Sequence, residues 1–350
     1  AGGGRRRLDP VAPGYVAQMS GSPLDVLTSA ERELLRPGET GFVAPMLATL
    51  TADHFSDPGW VFERKLDGVR AVVVRDGDGT HLFSRNHKDM TGGYPELVEA
   101  LAGGAPLVAD GEIVAFDGAQ TSFSRLQGRL GLTDPDRARA TGIAVYLYLF
   151  DVVVVDGCDV TGLPLRRRKA LLRAAVDAGG PIRLSQHRNT DGETFLADAC
   201  ARGWEGLIAK RADGVYRPGR RSDQWLKFKC VRGQEFVVGG WTDPAGSRQS
   251  FGALLVGVFD DGRLRYAGKV GTGFDDRLLR TLRARFDDLA ADDSPFAGPV
   301  PAKGAHWLRP ELVAQVGFTE WTRDGRLRHP RYLGLRDDKD PRDVVREEDR

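Results

Sequence analysis

The run Asp76-Gly77-Asp78-Gly79 separates two short apolar segments, and it constrains the fold more than any other local feature. Consecutive Asp-Gly pairs supply the positive φ angles that tight hairpins require, so the flanking segments 70–75 and 81–84 are expected to pair antiparallel. The run Asp260-Asp261-Gly262 predicts another hairpin later in the chain. Antiparallel pairing of neighbouring strands favours an α+β fold over a doubly wound parallel sheet.

Short apolar segments alternate with amphipathic ones between residues 42 and 235. The apolar segments predict strands over 60–65, 70–75, 81–84, 106–116, 144–155, 206–211 and 224–230. Segments with helical periodicity predict helices over 94–101, 166–178 and 190–202. We therefore expect one α+β domain with antiparallel sheets over residues 41–235.

The pattern changes after residue 235. Strands are predicted over 235–241, 252–259, 263–270 and 312–322, with one helix over 275–289 between them. Such a set of strands around one helix is typical of a small β-barrel of the OB type, which predicts a second domain over 236–350. Residues 1–40 are rich in Gly, Pro and Ser and predict a poorly structured tail or linker, with one short helix over 29–35.

Composition narrows the functional class only partly. The chain has 350 residues and a formal net charge of +1, so its overall charge does not mark a nucleic-acid-binding protein. Basic clusters occur at 166–169 and 217–221, and each taken alone is interpreted as a solvated helix face or turn. The three cysteines are far apart, without metal-binding or disulfide spacing, and indicate a reducing compartment. The most apolar run, 145–155, contains Asp151 and is too short to span a bilayer.

Lys65 lies between an apolar strand and an Asp-Gly turn, in the run Lys65-Leu66-Asp67-Gly68. The strand would deliver the amine to a pocket, and the turn would let the chain fold back and close it. A lysine amine attacks phosphorus only when it is neutral, so a nucleophilic Lys65 needs a pKa lowered by burial or by neighbouring positive charge. Taken alone, this short motif fits a surface lysine at an ordinary turn better than it fits a nucleophile. The choice depends on the other clusters.

Acidic residues interrupt two apolar strands and begin a third. Glu112 and Asp151 lie inside such strands, and Glu205 precedes the strand over 206–211. Because a buried carboxylate is costly unless it is paired or metal-bound, Glu112 and Glu205 are candidate ligands for Mg²⁺ or for a ribose hydroxyl. Phe150, beside Asp151, could stack on a purine face. A hairpin bend at Glu112 and a core position for Phe150 are the ordinary alternatives.

Two lysines alternate along the segment Trp225-Leu226-Lys227-Phe228-Lys229, so both side chains are expected on one face of a strand. Two ammonium groups on one face repel unless an anion such as a triphosphate lies between them, and they would also lower the pKa of Lys65. Arg85, in Ser84-Arg85-Asn86, could bind phosphate through its guanidinium group. An exposed amphipathic strand and a polar loop are the ordinary alternatives.

Six short motifs, taken in order, resemble the motif series of covalent nucleotidyltransferases. This superfamily comprises ATP-dependent DNA ligases, RNA ligases and mRNA capping enzymes. The resemblance covers residues 42–340, and the ordered series is far more specific than any single motif. The motifs are K-x-D-G at Lys65, S-R-N at Arg85, D-G-E at Glu112, F-D at Phe150, E-G-L-I-A-K at Glu205 and W-L-K-F-K at Trp225.

The run over residues 326–339 narrows the resemblance. It resembles the last motif of ATP-dependent DNA ligases, R-x-P-x-[FY]-x-G-x-R-x-D-K. It is similar in particular to the ligase module of bacterial end-joining proteins of the ligase D type. The preceding residues Phe318, Thr319, Glu320 and Trp321 fit that subgroup too.

The resemblance implies a role for each matching residue. Lys65 would be the nucleophile that becomes AMP-bound, and Glu63 would lie near the adenine. Phe150 would stack on adenine, Glu112 and Glu205 would bind the metal and the ribose, and Lys227 and Lys229 would bind the α-phosphate. Arg70 would contact ribose or DNA, Arg85 would contact the DNA 5′-phosphate, and Arg221, with Arg220 as a rival, would contact phosphate. The departing pyrophosphate would be oriented by Arg328, Arg336, Asp338 and Lys339.

The function implied by the resemblance is ATP-dependent sealing of 5′-phosphate/3′-hydroxyl nicks in duplex DNA, through lysine-AMP and DNA-adenylate. ATP and Mg²⁺ or Mn²⁺ would be the cofactors. Nicked duplex DNA or DNA ends would be the substrate, with a Ku-like end-binding protein and an end-joining polymerase as partners. We expect a monomer without membrane contact in the bacterial cytoplasm, at the nucleoid, with a hinge near Arg232-Gly233 between the domains.

Two alternatives stay open. An RNA ligase or a GTP-dependent capping-type nucleotidyltransferase would use the same lysine chemistry, and nucleotide preference separates these from a DNA ligase. A catalytically inactive DNA-end-binding module would keep the fold without the chemistry. The presence of Lys65, Glu112 and Glu205 argues against an inactive module.

Overall fold

The computed structural model describes residues 21–230, 233–244, 250–322 and 324–347. The predicted hinge includes Arg232, which lies outside these residues, as do residues 1–20 of the predicted tail. The helices are α1 (Ser29–Arg32), α2 (Pro95–Ala100), α3 (Phe123–Leu126), α4 (Pro135–Ala140), α5 (Leu165–Ala175), α6 (Gly192–Ala201) and α7 (Asp276–Asp287).

The strands divide at residue 230 between the two predicted domains. Before it lie β1 (Arg36–Pro37), β2 (Leu47–Leu50), β3 (Trp60–Arg64), β4 (Val69–Asp76), β5 (Gly79–Ser84), β6 (Leu107–Asp117), β7 (Gln120–Thr121), β8 (Val145–Val155), β9 (Cys158–Asp159), β10 (Ile182–Leu184), β11 (His187–Asn189), β12 (Gly206–Arg211) and β13 (Arg221–Lys229). After it lie β14 (Gly233–Thr242), β15 (Leu254–Asp260), β16 (Arg263–Val270), β17 (Ala290–Ala291), β18 (Ala305–Gly317), β19 (Glu320–Trp321), β20 (Leu327–Arg328) and β21 (Arg331–Leu335).

The first sheet runs in the order β1-β9-β8-β6-β4-β5, and neighbouring strands along this path pair antiparallel. The Asp-Gly hairpin forms where the sequence predicts it, because Asp76 pairs with Gly79 and Gly79 adopts a φ of 134°. The inner face of the sheet buries a large apolar cluster that includes Val73, Ala109 and Leu149. The predicted α+β architecture is confirmed.

The second sheet runs in the order β11-β3-β12-β13-β2 and carries most of the site. Antiparallel pairing places Glu63 opposite Ile208, and Ile208 opposite Lys227 on the next strand. Two pairs further along, Gly206 lies opposite Lys229, and the Gly206 carbonyl accepts the Lys65 backbone N–H at 2.9 Å. Side chains two residues apart share a face of a strand, so Lys65, Lys227 and Lys229 face the same side of the sheet.

The second unit is an OB-type barrel. β14 pairs with β15 and β18, β15 pairs with β16, and β18 pairs with β21. A parallel bridge between Thr272 and Arg331 closes the barrel. The predicted strand over 312–322 is divided: its first part belongs to β18, which ends at Gly317, and Glu320–Trp321 form β19. β18 also begins earlier than predicted, at Ala305, because its N-terminal part pairs with the far end of β14 across a bulge. β14 begins at Gly233, two residues before the predicted end of the first domain at 235.

The segment over 21–40 differs from the predicted unstructured tail. Leu27 is only 5% exposed and belongs to the core of the first sheet, and β1 pairs with β9. Thr28 caps α1, in a reciprocal arrangement with Glu31. The described part of the predicted tail therefore packs on the first domain.

The basic cluster over 166–169 is not simply a solvated helix face. Arg168 and Lys169 are buried on α5. Arg168 forms a two-pronged ion pair with Asp151 at 2.7 and 2.9 Å. This pair accounts for the acidic residue inside the apolar strand β8, because each buried charge compensates the other.

The cysteine prediction is wrong in one respect. Cys200 and Cys230 form a disulfide across 30 residues, because the end of α6 lies beside the end of β13, whereas Cys158 is free. Sequence spacing gave no sign of this pairing, since the contact depends on how α6 packs on the second sheet. No helix in the described part of the chain is long and apolar enough to cross a membrane.

Candidate active site

A cleft of about 230 Å³ lies between the two sheets of the first domain and is closed on one side by the barrel. The first sheet, the second sheet and the barrel each contribute residues of the motif series to its lining. Those among them that line it are Glu63, Lys65, Arg70, Arg85, Glu112, Phe150, Glu205, Arg221, Lys227, Lys229, Arg336 and Lys339.

Lys65 directly follows β3 and points into the cleft. Its amine forms an ion pair with Glu205 at 2.5 Å. Burial alone would lower the pKa of Lys65, but the Glu205 ion pair, with Asp67 and Glu112 nearby, holds it above its usual value. The prediction of a lowered Lys65 pKa is therefore wrong in this structure, because carboxylates lie closer to the amine than cations do. Lys65 must lose a proton before it can attack.

Two glycines permit this arrangement of strands. A Cβ at Gly206 would lie 1.9 Å from the Phe228 carbonyl oxygen, and Gly206 has a φ of 145° that side chains rarely adopt. A Cβ at Gly68 would lie 2.1 Å from the Ile113 carbonyl oxygen. The glycine of the K-x-D-G motif is thus required for close approach to β6, and Gly206, at the start of β12, permits the close approach of β13 at Phe228 and Lys229.

Two carboxyl groups beside Lys65 have raised pKa values. Burial raises the pKa of Glu112 to about 7, against the opposing charges of Arg70, Arg336 and Lys65. Burial, together with the charge of Glu205, raises the pKa of Asp67 to about 6. Glu112 forms no salt bridge with any residue in the described ranges, which leaves its carboxylate available for a cation.

The carboxylates of the cleft fit a metal ion that is bound jointly by protein and nucleotide better than one that is bound by protein side chains alone. Within the described residues no three His, Cys, Asp or Glu side chains are grouped to hold a metal ion. Glu112 and Glu205 both line the cleft. Mg²⁺ is usually held by one or two carboxylates together with phosphates and water, which is the donor set that these residues could complete.

The aromatic end of the cleft is formed by Phe150 and Trp225, whose rings are 6.1 Å apart and edge-on. Lys210 lies over both rings, with its amine 4.2 Å from the Phe150 centroid and 4.1 Å from the Trp225 centroid. Ile208 lines the same cleft from the second sheet. A flat base could bind there between an aromatic and an aliphatic side chain.

Glu63 is buried at the same end of the cleft. Its two carboxylate oxygens form ion pairs with Lys169 at 2.5 Å and with Lys210 at 2.9 Å, and Ser185 donates a hydrogen bond at 3.3 Å. Burial would raise the pKa of Glu63, but the two ammonium groups hold it below its usual value. The side chain is therefore an ionised hydrogen-bond acceptor in the cleft wall.

Arg70 lines the cleft and is held in position by protein groups. Its guanidinium donates to both oxygens of Asp110, at 2.5 and 2.6 Å, and to the Met46 carbonyl at 3.0 Å. The Tyr216 hydroxyl donates to the same Asp110 at 2.7 Å. The guanidinium lies 4.9 Å from the Phe150 ring centroid. Asp110 and the Met46 carbonyl thus hold the Arg70 guanidinium beside the Phe150 ring, and the contact of Arg70 with ribose or DNA stays a prediction.

Lys227 and Lys229 share an anion, as their spacing predicts, but the anion belongs to the protein. The Glu347 carboxylate contacts the Lys229 amine at 2.7 Å and also accepts a hydrogen bond from Lys227. Burial lowers the pKa of Lys227 to about 8, with contributions from Lys229 and Lys65 and against the pull of Glu347. The predicted repulsion between cations thus acts on Lys227 rather than on Lys65.

Two arginines with predicted phosphate contacts, Arg85 and Arg221, are among the residues that line the cleft. Arg85 lines the cleft and forms no ion pair within the described residues, and burial lowers its pKa. Arg221 lines the cleft and donates to the Ala48 carbonyl, whereas Arg220 does not reach the lining. The structure therefore favours Arg221 over its rival.

The barrel contributes only part of the predicted last motif. Arg336 reaches the cleft, held by Asp338 at 2.8 Å, and Lys339 pairs with Glu235 at 3.2 Å. Asp338 itself lies outside the cleft lining and orients Arg336. Arg328 does not come to the site: it is exposed on the barrel surface and pairs with Glu320 at 2.7 Å. Its short strand β20 pairs with β19 in a two-stranded sheet that is separate from the sheet of the barrel.

Family models match most of the folded chain. The ATP dependent DNA ligase domain matches residues 45–229, and the ATP dependent DNA ligase C terminal region matches residues 247–339. The chain belongs to the ATP-dependent DNA ligases. The resemblance stated from the motif series is confirmed, and the RNA-ligase, capping and inactive-module alternatives are not favoured.

Curated relatives of this ligase agree with the family. The multifunctional non-homologous end joining protein LigD of Mycobacterium bovis is 41% identical over 316 residues, which cover 87% of this chain and 40% of the relative. A probable DNA ligase of Streptomyces avermitilis is 32% identical, covering 95% of this chain and 72% of the relative. The chain thus spans about two fifths of the length of its LigD relative.

A solved structure supports the same fold. A mycobacterial DNA ligase D complexed with ATP and MES is 38% identical, with a TM-score of 0.63, covering 87% of this chain and 98% of that chain. That structure is similar to this ligase in sequence and in fold, and its name states that it binds ATP.

Sequence reasoning missed several residues of the ligase cleft. Ile208 had a signal, because it alternates with Lys210 on a strand whose Glu205 was already singled out. Lys169 and Glu347 had none, since their partners Glu63 and Lys229 lie more than a hundred residues away.

Proposed function

We propose that this ligase attaches AMP to Lys65 and passes it to the 5′-phosphate of a DNA break, which an adjacent 3′-hydroxyl then seals. In the first transfer the Lys65 nitrogen forms a bond to the α-phosphorus of ATP and the bond to the bridging oxygen breaks. Pyrophosphate leaves, and a proton leaves the amine. The observation that carries the proposal is the position of Lys65 in one cleft with Lys227, Lys229 and two carboxylates.

The raised pKa of Lys65 gives Glu205 a part in that step. Its carboxylate is 2.5 Å from the amine, close enough to accept the proton that the amine must lose. A divalent cation held by Glu112 and Glu205 would neutralise charge on the phosphates. Arg336 and Lys339 extend from the barrel toward the same cleft, where they could neutralise charge on the leaving pyrophosphate.

The base-binding end favours adenine. Glu63 is an ionised acceptor and would accept a hydrogen bond from the exocyclic amine of adenine. Guanine presents a carbonyl oxygen at that position, so two acceptors would face each other. Phe150 and Ile208 would enclose the ring.

The decisive experiment is the intact mass of the purified protein. ATP with Mg²⁺ should add the mass of one AMP, and pyrophosphate should remove it. Lys65→Ala should show no shift, whereas Lys88→Ala, at an exposed turn, should behave like the wild type. Labelling by GTP and not ATP, or an AMP adduct that survives Lys65→Ala, would refute the proposal.

We also propose that the physiological substrate is a broken DNA end. The support is the 41% identity to a relative named for non-homologous end joining. A Ku-like end-binding protein and an end-joining polymerase would then act beside it, at the bacterial nucleoid where the DNA is. Ligation of a nicked duplex and of cohesive-end duplexes, with and without a Ku-like protein, tests this: no stimulation at ends would remove the support for an end-joining role.

A further inference from the structure

The segment after β21 returns from the barrel to the cleft, and residues 340, 343, 344, 345 and 347 line it. Its side chain Glu347 lies between the two lysines of β13, with one oxygen 2.7 Å from the Lys229 amine and the other accepting from Lys227. The three side chains are only 8–20% exposed. One carboxylate therefore neutralises both cations.

The barrel holds this segment in place through several hydrogen bonds. The Glu347 backbone N–H donates to the Gln234 side-chain carbonyl at 3.1 Å, and the Gln234 side-chain amide donates to the Val345 carbonyl at 3.1 Å. The Phe259 backbone N–H donates to the Val344 carbonyl at 2.7 Å, and the Val344 side chain is 5% exposed. The position of Glu347 is thus built into the fold rather than taken by a free side chain.

A carboxylate and a phosphate make the same demand on a pair of lysines, since both offer oxygens that accept charge-assisted hydrogen bonds. The proposed function assigns Lys227 and Lys229 to the α-phosphate of ATP. Two anions cannot share these two amines, because their mutual repulsion would add to the loss of hydrogen bonds. Either Glu347 or the nucleotide phosphate occupies the amines.

We propose that Glu347 is an intramolecular competitor of the nucleotide phosphate, and that the segment over 341–347 must leave the lysines when ATP binds. This inference rests on the proposed function of the cleft. The ligase then has a closed state, in which Glu347 neutralises the lysines, and an open state that binds ATP. The measured association constant for ATP then equals the intrinsic association constant of the open state multiplied by the fraction of molecules in that state.

The expected effect of removing the competitor is about a tenfold gain in apparent ATP affinity, which is the scale of one charge-assisted hydrogen bond. Glu347→Gln keeps the shape of the side chain and removes its charge, and Glu347→Ala removes both. Both variants should lower the KM for ATP in lysine-AMP formation while leaving the maximal rate unchanged. Glu311→Gln is the matched control, because Glu311 is an exposed barrel residue paired only with Arg309 among the described residues.

The result that overturns the inference is an unchanged or higher KM in both Glu347 variants, or a lower maximal rate. A lower rate would mean that Glu347 holds the barrel in its productive position instead of competing. Thermal unfolding of each variant shows whether it is folded. The gain in affinity should persist in any variant that melts as the wild type does.

Hydrogen exchange on protein stripped of AMP by pyrophosphate separates this inference from the proposed function. ATP should speed exchange of two amides: the Glu347 N–H would move away from its acceptor Gln234 on the barrel, and the Phe259 N–H would lose its acceptor, the Val344 carbonyl of the segment. Lysine-AMP formation without faster exchange refutes the competitor and leaves the proposed function intact. Faster exchange without any lysine-AMP supports the competitor and refutes the proposed chemistry.

Discussion

The buried cluster of Glu63, Lys169 and Lys210 makes a sharp prediction about stability. The two ammonium groups lie 2.5 and 2.9 Å from the one carboxylate, and the three side chains are 2–5% exposed. The cluster carries one excess positive charge. Removing the glutamate therefore leaves two buried cations without their shared partner, whereas removing one lysine leaves a neutral pair.

The number of unpaired charges left in the cluster predicts which variant loses more stability. Glu63→Gln should cost about 3–5 kcal/mol of the free energy of unfolding, the scale for breaking a buried ion pair by removing one partner. Lys169→Met keeps the Glu63–Lys210 pair and loses one charge-assisted hydrogen bond, so it should cost about 1.5–3 kcal/mol. The double variant should be more stable than Glu63→Gln alone, because it removes one of the two like charges.

Urea unfolding at neutral pH measures these differences, with Glu99→Gln as a control at an exposed pair with Arg139. The control should change the free energy of unfolding by at most about 1 kcal/mol. Burial already lowers the pKa of Lys210. In Glu63→Gln the folded protein would hold fewer lysine protons than the unfolded chain, so its deficit should shrink as pH rises toward the usual lysine pKa. Additive costs in the double variant would refute the reasoning.

Further predictions concern nucleotide binding, stability against pH, and nick sealing. Phe150→Ala should weaken ATP binding by about 1–3 kcal/mol, measured by calorimetry, because a stacking face for the base is lost; unchanged affinity would mean that the base binds elsewhere. Because the pKa of Glu112 is raised to about 7, Mg²⁺–ATP binding should strengthen as pH rises through that value and then level off, and Glu112→Gln should flatten the profile. The same raised pKa means that, between the ordinary carboxyl pKa and about 7, Glu112 binds more protons in the folded protein than in the unfolded chain. The contribution of Glu112 to the free energy of unfolding should therefore decrease as pH rises through that range. Arg221→Ala should slow ligation more than Arg220→Ala, because Arg221 lines the cleft; equal effects in a nick-sealing assay would contradict the assignment.

Much of the fold follows from local sequence pattern. The Asp-Gly run predicts the β4–β5 hairpin because positive φ angles are available there, and the predicted strand over 263–270 coincides with β16. Helix ends were less accurate: the helix predicted over 166–178 stops at Ala175, where Val176 turns extended. The end of a helix depends on the contacts that the next residues make, and those contacts are tertiary.

The functional site, like the fold, could be predicted only in part from local sequence pattern. The spacing of Lys227 and Lys229 on one strand predicts their common face, since alternation along a strand is a local property. Their anionic partner could not be predicted, because Glu347 is 120 residues away from Lys227 and arrives only through the barrel. The same holds for Arg70, whose ion-pair partner Asp110 is 40 residues away.

The sequence by itself determined which chemical groups the ligase possesses, the order of its strands along the chain and the face of each strand that carries charge. These depend on residue type and on the two-residue period of a strand. The tertiary structure alone decided the charge state of Lys65, the neutralisation of Glu63 by Lys169 and the exclusion of Arg328 from the cleft. Electrostatic free energy depends on distance and burial, and both are set by contacts between segments that are far apart in the chain.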